Sequence, residues 1–396
     1  MGAVWPWAEP GSEFASSYEA LVIDRLMDYE RGYVKTLFLP DWSEGNPYQK
    51  LLINGLRSNG VEADLDDFHR RWPRLLRTVL KHGSCDIVHL HWIDSYISWI
   101  TSSKGTLKQN IKILLCFIDL LLVKIIGKKI IWTVHNIYGH DAGNISLELK
   151  LRKLIFRMAG AVIAHSESGK KDIIAEYGIT NEGSIEKIHV VEHGDYCGYY
   201  PNTVKKNEAR YRLGIGGDGK VFLFLGAIRP YKGIEDLVDA FKECNFSGKS
   251  KLLIVGKPGN TEIDGKINRL IEGIDNIEFH PKFIDDDEIQ LYMNAADVCV
   301  FPFKKILTSG SVILAMSFGK AIIVPKQGCL MDLVDEKGAI FFREHRTLKE
   351  CLKVAEKKEL ESMGENNLNL IKHYGWDFDA SKLVNVYKNV SCGKRC

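Results

Sequence analysis

The sequence predicts an α/β protein made of two doubly wound domains facing each other across a cleft. Three observations carry this. Short apolar runs alternate with helical-period segments along nearly the whole chain. The apolar runs lack polar alternation, as strands of a parallel sheet covered by helices on both faces do. The rhythm stops once, at the polar segment 199–220, and then restarts. At 396 residues the chain is also longer than one hydrophobic core usually serves.

The elements follow in order. VKTLFLP (34–40) reads as a strand, and residues 49–59 as a helix with Leu51, Leu52, Gly55 and Leu56 on one side. DIVHLHW (86–92), KIIWTVHN (129–136), AGAVIAHS (159–166) and KIHVVEHG (187–194) read as further strands, with helices over 105–126 and 170–178. In the second half, VFLFLGA (221–227), KLLIVGK (251–257), IEFHPKFI (277–284), DVCVFPF (297–303), AIIVP (321–325) and GAIFF (338–342) supply the strands. Helical segments 235–242, 265–273, 288–296 and 311–319 lie among them. Residues 346–391 read as helical, with Trp376 and Tyr387 as anchors. Residues 1–14 read as a vector-derived tail, because Gly11-Ser12-Glu13-Phe14 looks like a cloning scar. Ligands of such sheets bind at the carboxyl ends of the strands, so a cleft between the halves is the expected site.

Composition narrows the function classes. Lys+Arg 53 against Asp+Glu 51 leaves a net charge of +2, which gives nucleic-acid binding no electrostatic support. An apolar share of 45% with 26% charged residues excludes disorder and a multi-span membrane protein. Nine scattered cysteines with no Cys-x-x-Cys pair fit a reduced, cytoplasmic protein, and the N-terminus lacks a signal-peptide pattern. The most apolar run, residues 111–126, falls short of the roughly 20 residues needed to span a bilayer and contains Lys112, Asp119 and Lys124. Lys104, Lys108, Lys128 and Lys129 surround it. It reads either as a buried helix or as a helix resting one face on an anionic membrane surface, which makes residues 104–129 a candidate peripheral contact on the inner face of the membrane.

Four segments carry candidate chemistry. Gly226-Ala-Ile-Arg229-Pro-Tyr-Lys232-Gly233 follows a strand and precedes a helix, so it offers a turn glycine, free helix-start amides and two cations suited to a diphosphate. Thr308-Ser309-Gly310-Ser311 is a hydroxyl-rich turn before a second helix, either a plain N-cap or a second anion contact. His135 and Asn136 end an apolar strand, with Tyr138, His140 and Asp141 following, where an active site is expected. Between the first strand and its helix, the carboxylates of Asp41 and Glu44 with Gly45 could meet a sugar hydroxyl, and either acid could serve as general base or as a helix cap. His91 and Trp92 end another strand, and Trp92 could stack on a sugar ring or pack in the core. No spacing of residues supports a metal site or a hydrolase elbow.

Taken together, TVHN (133–136), AHS (164–166), VVEHGDY (190–196), GAIRPYKG (226–233), LLIVGKPG (252–259), AADVCVFPF (295–303), SGSVILAMSFGKAIIVP (309–325) and GWDFDASKLVNVYKNV (375–390) resemble a known family. The resemblance is to GT-B glycosyltransferases of the family 4 type, which includes bacterial polysaccharide-biosynthesis enzymes. It implies two Rossmann-like domains: an acceptor-binding domain over 15–205 and a nucleotide-sugar domain over 206–375. A helix over 376–396 would return to the first domain. It implies that Arg229 and Lys232 neutralise the donor diphosphate, that His135 approaches the transferred sugar, and that Phe283 and Ile284 meet the nucleobase. Gly226, Thr308, Ser309, Gly310 and Ser311 complete the expected donor site; Asn46, His91, Trp92 and Asn136 are the candidate acceptor contacts. Similar enzymes need no cofactor or metal beyond the UDP-, GDP- or dTDP-linked sugar.

The chain departs from that pattern where the family carries two glutamates around the glycine-rich turn: Ile306 and Leu314 stand there. This leaves the stereochemical course open. If the sugar is inverted, Asp41 or Glu44 could be the base; if it is retained, His135 positions and no base is needed. The reading is a metal-independent hexosyltransferase acting on a saccharide, such as a polyprenyl-diphosphate-linked glycan in surface polysaccharide assembly. A non-catalytic GT-B binding subunit, or a phosphorylase or epimerase on the same architecture, are the alternatives. Nucleotide binding separates the first of these from the enzyme.

Overall fold

The computed structural model describes residues 34–139, 143–246 and 249–392. The expected N-terminal tail, and His140 and Asp141 of the strand-end motif, lie outside the described residues.

The described residues form two six-stranded sheets, and every ladder in both is parallel. The first contains β1 (Val34–Leu39), β2 (Val61–Leu65), β3 (Ile87–Leu90), β4 (Lys129–Thr133), β5 (Ala161–Ala164) and β6 (Ile188–Val190), in spatial order β2-β1-β3-β4-β5-β6. The second contains β7 (Val221–Leu225), β8 (Lys251–Val255), β9 (Ile277–His280), β10 (Val298–Val300), β11 (Ala321–Pro325) and β12 (Ala339–Phe342), in order β12-β11-β10-β7-β8-β9. Strand order reverses between β1 and β3 in one sheet and between β7 and β10 in the other. The loops leaving those strands part to opposite faces there and open a crevice.

The apolar runs form these strands because both faces are covered. β7 is buried at all five positions, and helices enclose it within one core that serves the second sheet. The first sheet has a separate core on each face. The sequence reading passed over β2, which forms an edge of the first sheet, and the helix Arg74–Lys81, which packs on the helix Thr106–Ile125. The segment VEADL alternates buried and exposed residues, as an edge strand does, and its acids hid it among loop residues.

The segment 346–391 divides into three helices, Leu348–Lys357, Glu361–Ile371 and Trp376–Ser391. The last leaves the second sheet and packs on the helix Tyr48–Ser58, adding Ala380, Leu383, Val384 and Tyr387 to one core of the first sheet. Gly55 permits this close approach: a Cβ there would lie 2.7 Å from the Trp376 carbonyl oxygen.

The apolar run lies in the helix Thr106–Ile125 and is neither wholly buried nor membrane-spanning. Among the described residues no helix is long and apolar enough to cross a membrane. Its one acid points inward: Asp119 accepts from the Leu75 and Leu76 amides (2.8 and 3.0 Å) and from the Tyr96 hydroxyl (3.0 Å), closing the start of the helix Arg74–Lys81. Leu107, Ile111, Leu114, Phe117, Leu121 and Ile125 face outward. Lys128, grouped in the sequence with the surrounding cations, is instead buried, its ammonium on the carbonyls of Gly83 and Cys85. The described cysteines are free, and most are buried.

Candidate active site

The loops at both strand-order reversals open onto one cavity of about 400 Å³. From the first sheet come Gly45, Asn46, Pro47 and Tyr48 after β1, Trp92 after β3 and His135 and Asn136 after β4. From the second come Gly226 and Lys232 after β7, Gly256 and Lys257 after β8, Phe283 and Ile284 after β9, and Thr308 to Ser311 after β10. Gly226 (φ +148°) and Gly256 (φ +147°) let three chain segments converge: a Cβ on Gly226 would meet Ser311 Oγ at 2.7 Å, and one on Gly256 would collide with the Gly226 carbonyl. Phe283 reaches across the mouth to Gly45, where a Cβ would lie 3.2 Å from its ring.

Positive charge gathers on the second sheet's side. Lys232 is 7% exposed, its ammonium 4.4 Å from the Phe303 ring centroid, and it pairs with no carboxylate among the described residues. Burial, reinforced by the nearby Arg229, lowers its pKa from 10.5 to about 8. Among the described residues lining the cavity, Lys232, Lys257 and Lys282 face a single carboxylate, Asp286. Ser309 caps the helix Gly310–Ser317 by accepting from the Val312 amide, which leaves the amides of Gly310 and Ser311 without an acceptor among the described residues. A buried cation and free helix-start amides thus line one cavity, an arrangement suited to an anion.

The first sheet contributes neutral aromatic groups. His135, 5% exposed, stacks on Trp92 with centroids 4.1 Å apart and meets the edge of Tyr48. Burial and the neighbouring histidines hold the pKa of His135 well below 6.5. Its Nε2 lies 3.1 Å from Nδ1 of His91.

The sequence-predicted residues divide accordingly. The cavity brings together Asn46, Trp92, His135, Asn136, Gly226, Lys232, Phe283, Ile284, Thr308, Ser309, Gly310 and Ser311. His91 is fully internal and stands behind His135. Arg229 is not on the wall: its guanidinium folds back to the Ile228 carbonyl (3.0 Å) and packs over Gly259, so it acts on Lys232 through its field. Asp41 and Glu44 are exposed and off the wall; Asp41 accepts from the Ser43 amide and braces its own turn. Ile306 and Leu314 line the cavity, so that stretch of wall is apolar. Sequence reasoning assigned no role to Tyr48, His165, His193, Tyr196 or Lys257. The signal for the histidines was present: the runs ending β3, β4, β5 and β6 each close on one, in HLHW, TVHN, AHS and VEHG.

This architecture is found in known proteins. The Anabaena protein HepE, solved with UDP and glucose, superposes with a TM-score of 0.70 at 16% identity, over 90% of this chain and 100% of that one. The sucrose-phosphate synthase of Thermosynechococcus elongatus gives 0.68 at 17% identity, over 91% and 100%. The chain has the GT-B glycosyltransferase fold. Residues 219–355 match the family model described as glycosyl transferases group 1, which covers most of the second sheet of the GT-B pair. Among curated relatives, the GDP-mannose:glycolipid 4-beta-D-mannosyltransferase of Xanthomonas campestris pv. campestris is 22% identical over 254 residues, 64% of this chain and 65% of the relative. The match thus spans just under two thirds of that enzyme's length. A D-inositol 3-phosphate glycosyltransferase of Jonesia denitrificans is 23% identical over 84% of the chain and 78% of its own length.

Proposed function

We propose that the chain transfers a hexosyl group from a nucleotide-diphosphate donor to a saccharide acceptor. Lys232 supports this most: a buried ammonium with no carboxylate partner among the described residues, lining the same cavity as the unbonded amides of Gly310 and Ser311. When the bond between the sugar's anomeric carbon and the β-phosphate breaks, negative charge grows on the departing diphosphate. Groups already aimed at it stabilise that state more than the ground state. On this reading a resident metal is unnecessary, and turnover should survive a chelator.

The second domain, 206–375, would hold the donor, with Phe283 and Ile284 at the base. The first, 15–205, would hold the acceptor through Asn46, Trp92 and Asn136, and helix 376–396 would rejoin it. UDP, GDP and dTDP sugars are the donors to test; the names of the HepE complex and the Xanthomonas relative support the first two. A polyprenyl-diphosphate-linked glycan of surface polysaccharide assembly fits the outer face of the helix Thr106–Ile125. Its exposed Leu107, Ile111, Leu114 and Leu121, with exposed Lys104, Lys108, Lys124 and Lys129 nearby, suit a peripheral position on an anionic membrane at its cytoplasmic side.

A thermal-shift screen of nucleotide sugars tests the reading, since a ligand bound only by the native state raises Tm. One base should stabilise the protein, and Lys232→Ala should lose that shift and on the order of 100-fold in turnover. If no nucleotide stabilises it, the non-catalytic subunit replaces the enzyme.

A further inference from the structure

β3 to β6 run out into four histidines that, with Tyr48, form one aromatic cluster behind and beside the cavity. Backbone carbonyls fix the hydrogens of two of them. His165 Nδ1 lies 2.9 Å from the Val191 oxygen and His193 Nδ1 2.8 Å from the Gly194 oxygen, so both carry hydrogen on Nδ1 and leave Nε2 to accept. Their Nε2 atoms face the hydroxyls of Tyr48 (3.5 Å) and Tyr196 (3.4 Å).

For the pair His91 and His135, no carbonyl among the described residues decides it. His91 Nδ1 and His135 Nε2 are 3.1 Å apart, and one hydrogen lies between them. Both rings are held neutral by burial and by the surrounding histidines, so the pair has no spare proton. If His135 supplied the shared hydrogen, the remaining hydrogen of His91 would sit on Nε2, which is sealed inside the protein without a partner. If His91 supplies it, Nε2 buries only a bare lone pair. An orphaned N–H loses more than an orphaned acceptor, so the shared hydrogen belongs to His91 Nδ1. His135 then carries its own hydrogen on Nδ1. That atom has no protein partner among the described residues, on a ring that lines the cavity. Stacking on Phe38 holds the His91 ring (4.8 Å), and stacking on Trp92 holds His135.

We propose that His91 is a positioning residue that locks His135 in the Nδ1–H tautomer, so that His135 offers the substrate a hydrogen-bond donor and does not serve as a base. The oxygen it would meet is a sugar hydroxyl or ring oxygen, or a phosphate oxygen. The catalytic part of this rests on the transferase reading; the tautomer does not.

Long-range proton–nitrogen correlation spectra of the full chain, labelled at histidine, read the tautomer directly. His135 should show a protonated Nδ1 and a bare Nε2, unchanged between pH 8 and 6. A protonated Nε2 overturns the proposal whatever the activity. In kinetics, His91→Leu removes the donor, whereas His91→Asn keeps an amide N–H in the place of Nδ1. His91→Leu should lower kcat by about tenfold or more at nearly constant donor KM, as a misplaced tautomer does, and His91→Asn should recover most of it. Equal losses in the two variants, with the fold intact, would contradict the positioning role. If the wild type itself transfers no sugar, the transferase reading fails, while the spectra still decide the tautomer.

Discussion

An ammonium buried beside Phe303 costs the unliganded protein stability, because its charged form has lost water and gained no carboxylate. With a folded pKa of about 8 against 10.5 when unfolded, Lys232 leaves stability untouched above 10.5 and reduces it as pH falls toward 8. Below that, the cost is on the order of 3 kcal/mol. Lys232→Met should therefore raise the Tm of the unliganded protein at pH 7 while abolishing nucleotide binding, a combination that calorimetry and titration check together. Anion binding should also draw a proton onto Lys232 near pH 8.5, visible as a buffer-dependent binding enthalpy. Asp379 runs the other way. Burial and Glu192 raise its pKa from 3.8 to about 7, so its contribution is intact below 3.8 and lost as pH rises through 7. Asp379→Asn should leave Tm unchanged at pH 3.5 and raise it at pH 8. Lys232 was legible in the sequence because it sits between a strand and a helix. Arg229 was legible as a cation but not as a side chain folded over Gly259, since spacing carries no information about the direction of a long side chain.

Strand ends and helix faces set the next scale. His89, His165 and His193 are held near 3, 4 and 3 by burial, well under the 6.5 of an unfolded chain. Their native neutrality adds stability above pH 6.5 that is lost as pH falls toward 4, at roughly 1.4 kcal/mol per histidine per pH unit. Tm should accordingly drop steeply between pH 6.5 and 4.5, as calorimetry would show, and a flat profile would mean the cluster is open to water. The helix Thr106–Ile125 yields a different expectation. Leu107 is 76% and Leu114 56% exposed, so Leu107→Glu with Leu114→Glu should leave Tm nearly unchanged. The same change should abolish co-sedimentation with anionic vesicles if the outer face rests on a membrane. Most strands of both sheets were readable because full burial makes them continuous apolar runs. β2 was not, because an edge strand shares its acids and alternation with loops. Nor was the orientation of the apolar helix, because Asp119 turns inward to serve another helix, against the usual expectation for an acid.

Across the whole molecule, the two sheets are tied on both sides of the cavity. On one side the C-terminal helix joins the first core; on the other the second half grips both ends of the helix Glu167–Tyr177. Asp332 accepts from the Ser168 amide (2.7 Å) and hydroxyl (3.1 Å) at its start, and Lys305 pairs with Glu176 (2.7 Å) in its last turn. Exposed pairs of this kind are worth at most about 1 kcal/mol. Asp332→Ala with Lys305→Ala should leave Tm within a few degrees while raising donor KM severalfold, because the closed crevice becomes less populated. The return of the C-terminal helix was expected from the resemblance, but nothing in the sequence announced the ties through Asp332 and Lys305, since each joins residues far apart in the chain. The two-domain plan was announced by the single polar interruption at 199–220. The central claim is that this crevice grips a diphosphate through Lys232. A crystal structure with the nucleoside diphosphate selected by the thermal screen tests it most directly. The account predicts phosphate oxygens about 3 Å from Lys232 Nζ and from the amides of Gly310 and Ser311. Phosphates bound elsewhere, with that ammonium left unpaired, would contradict it.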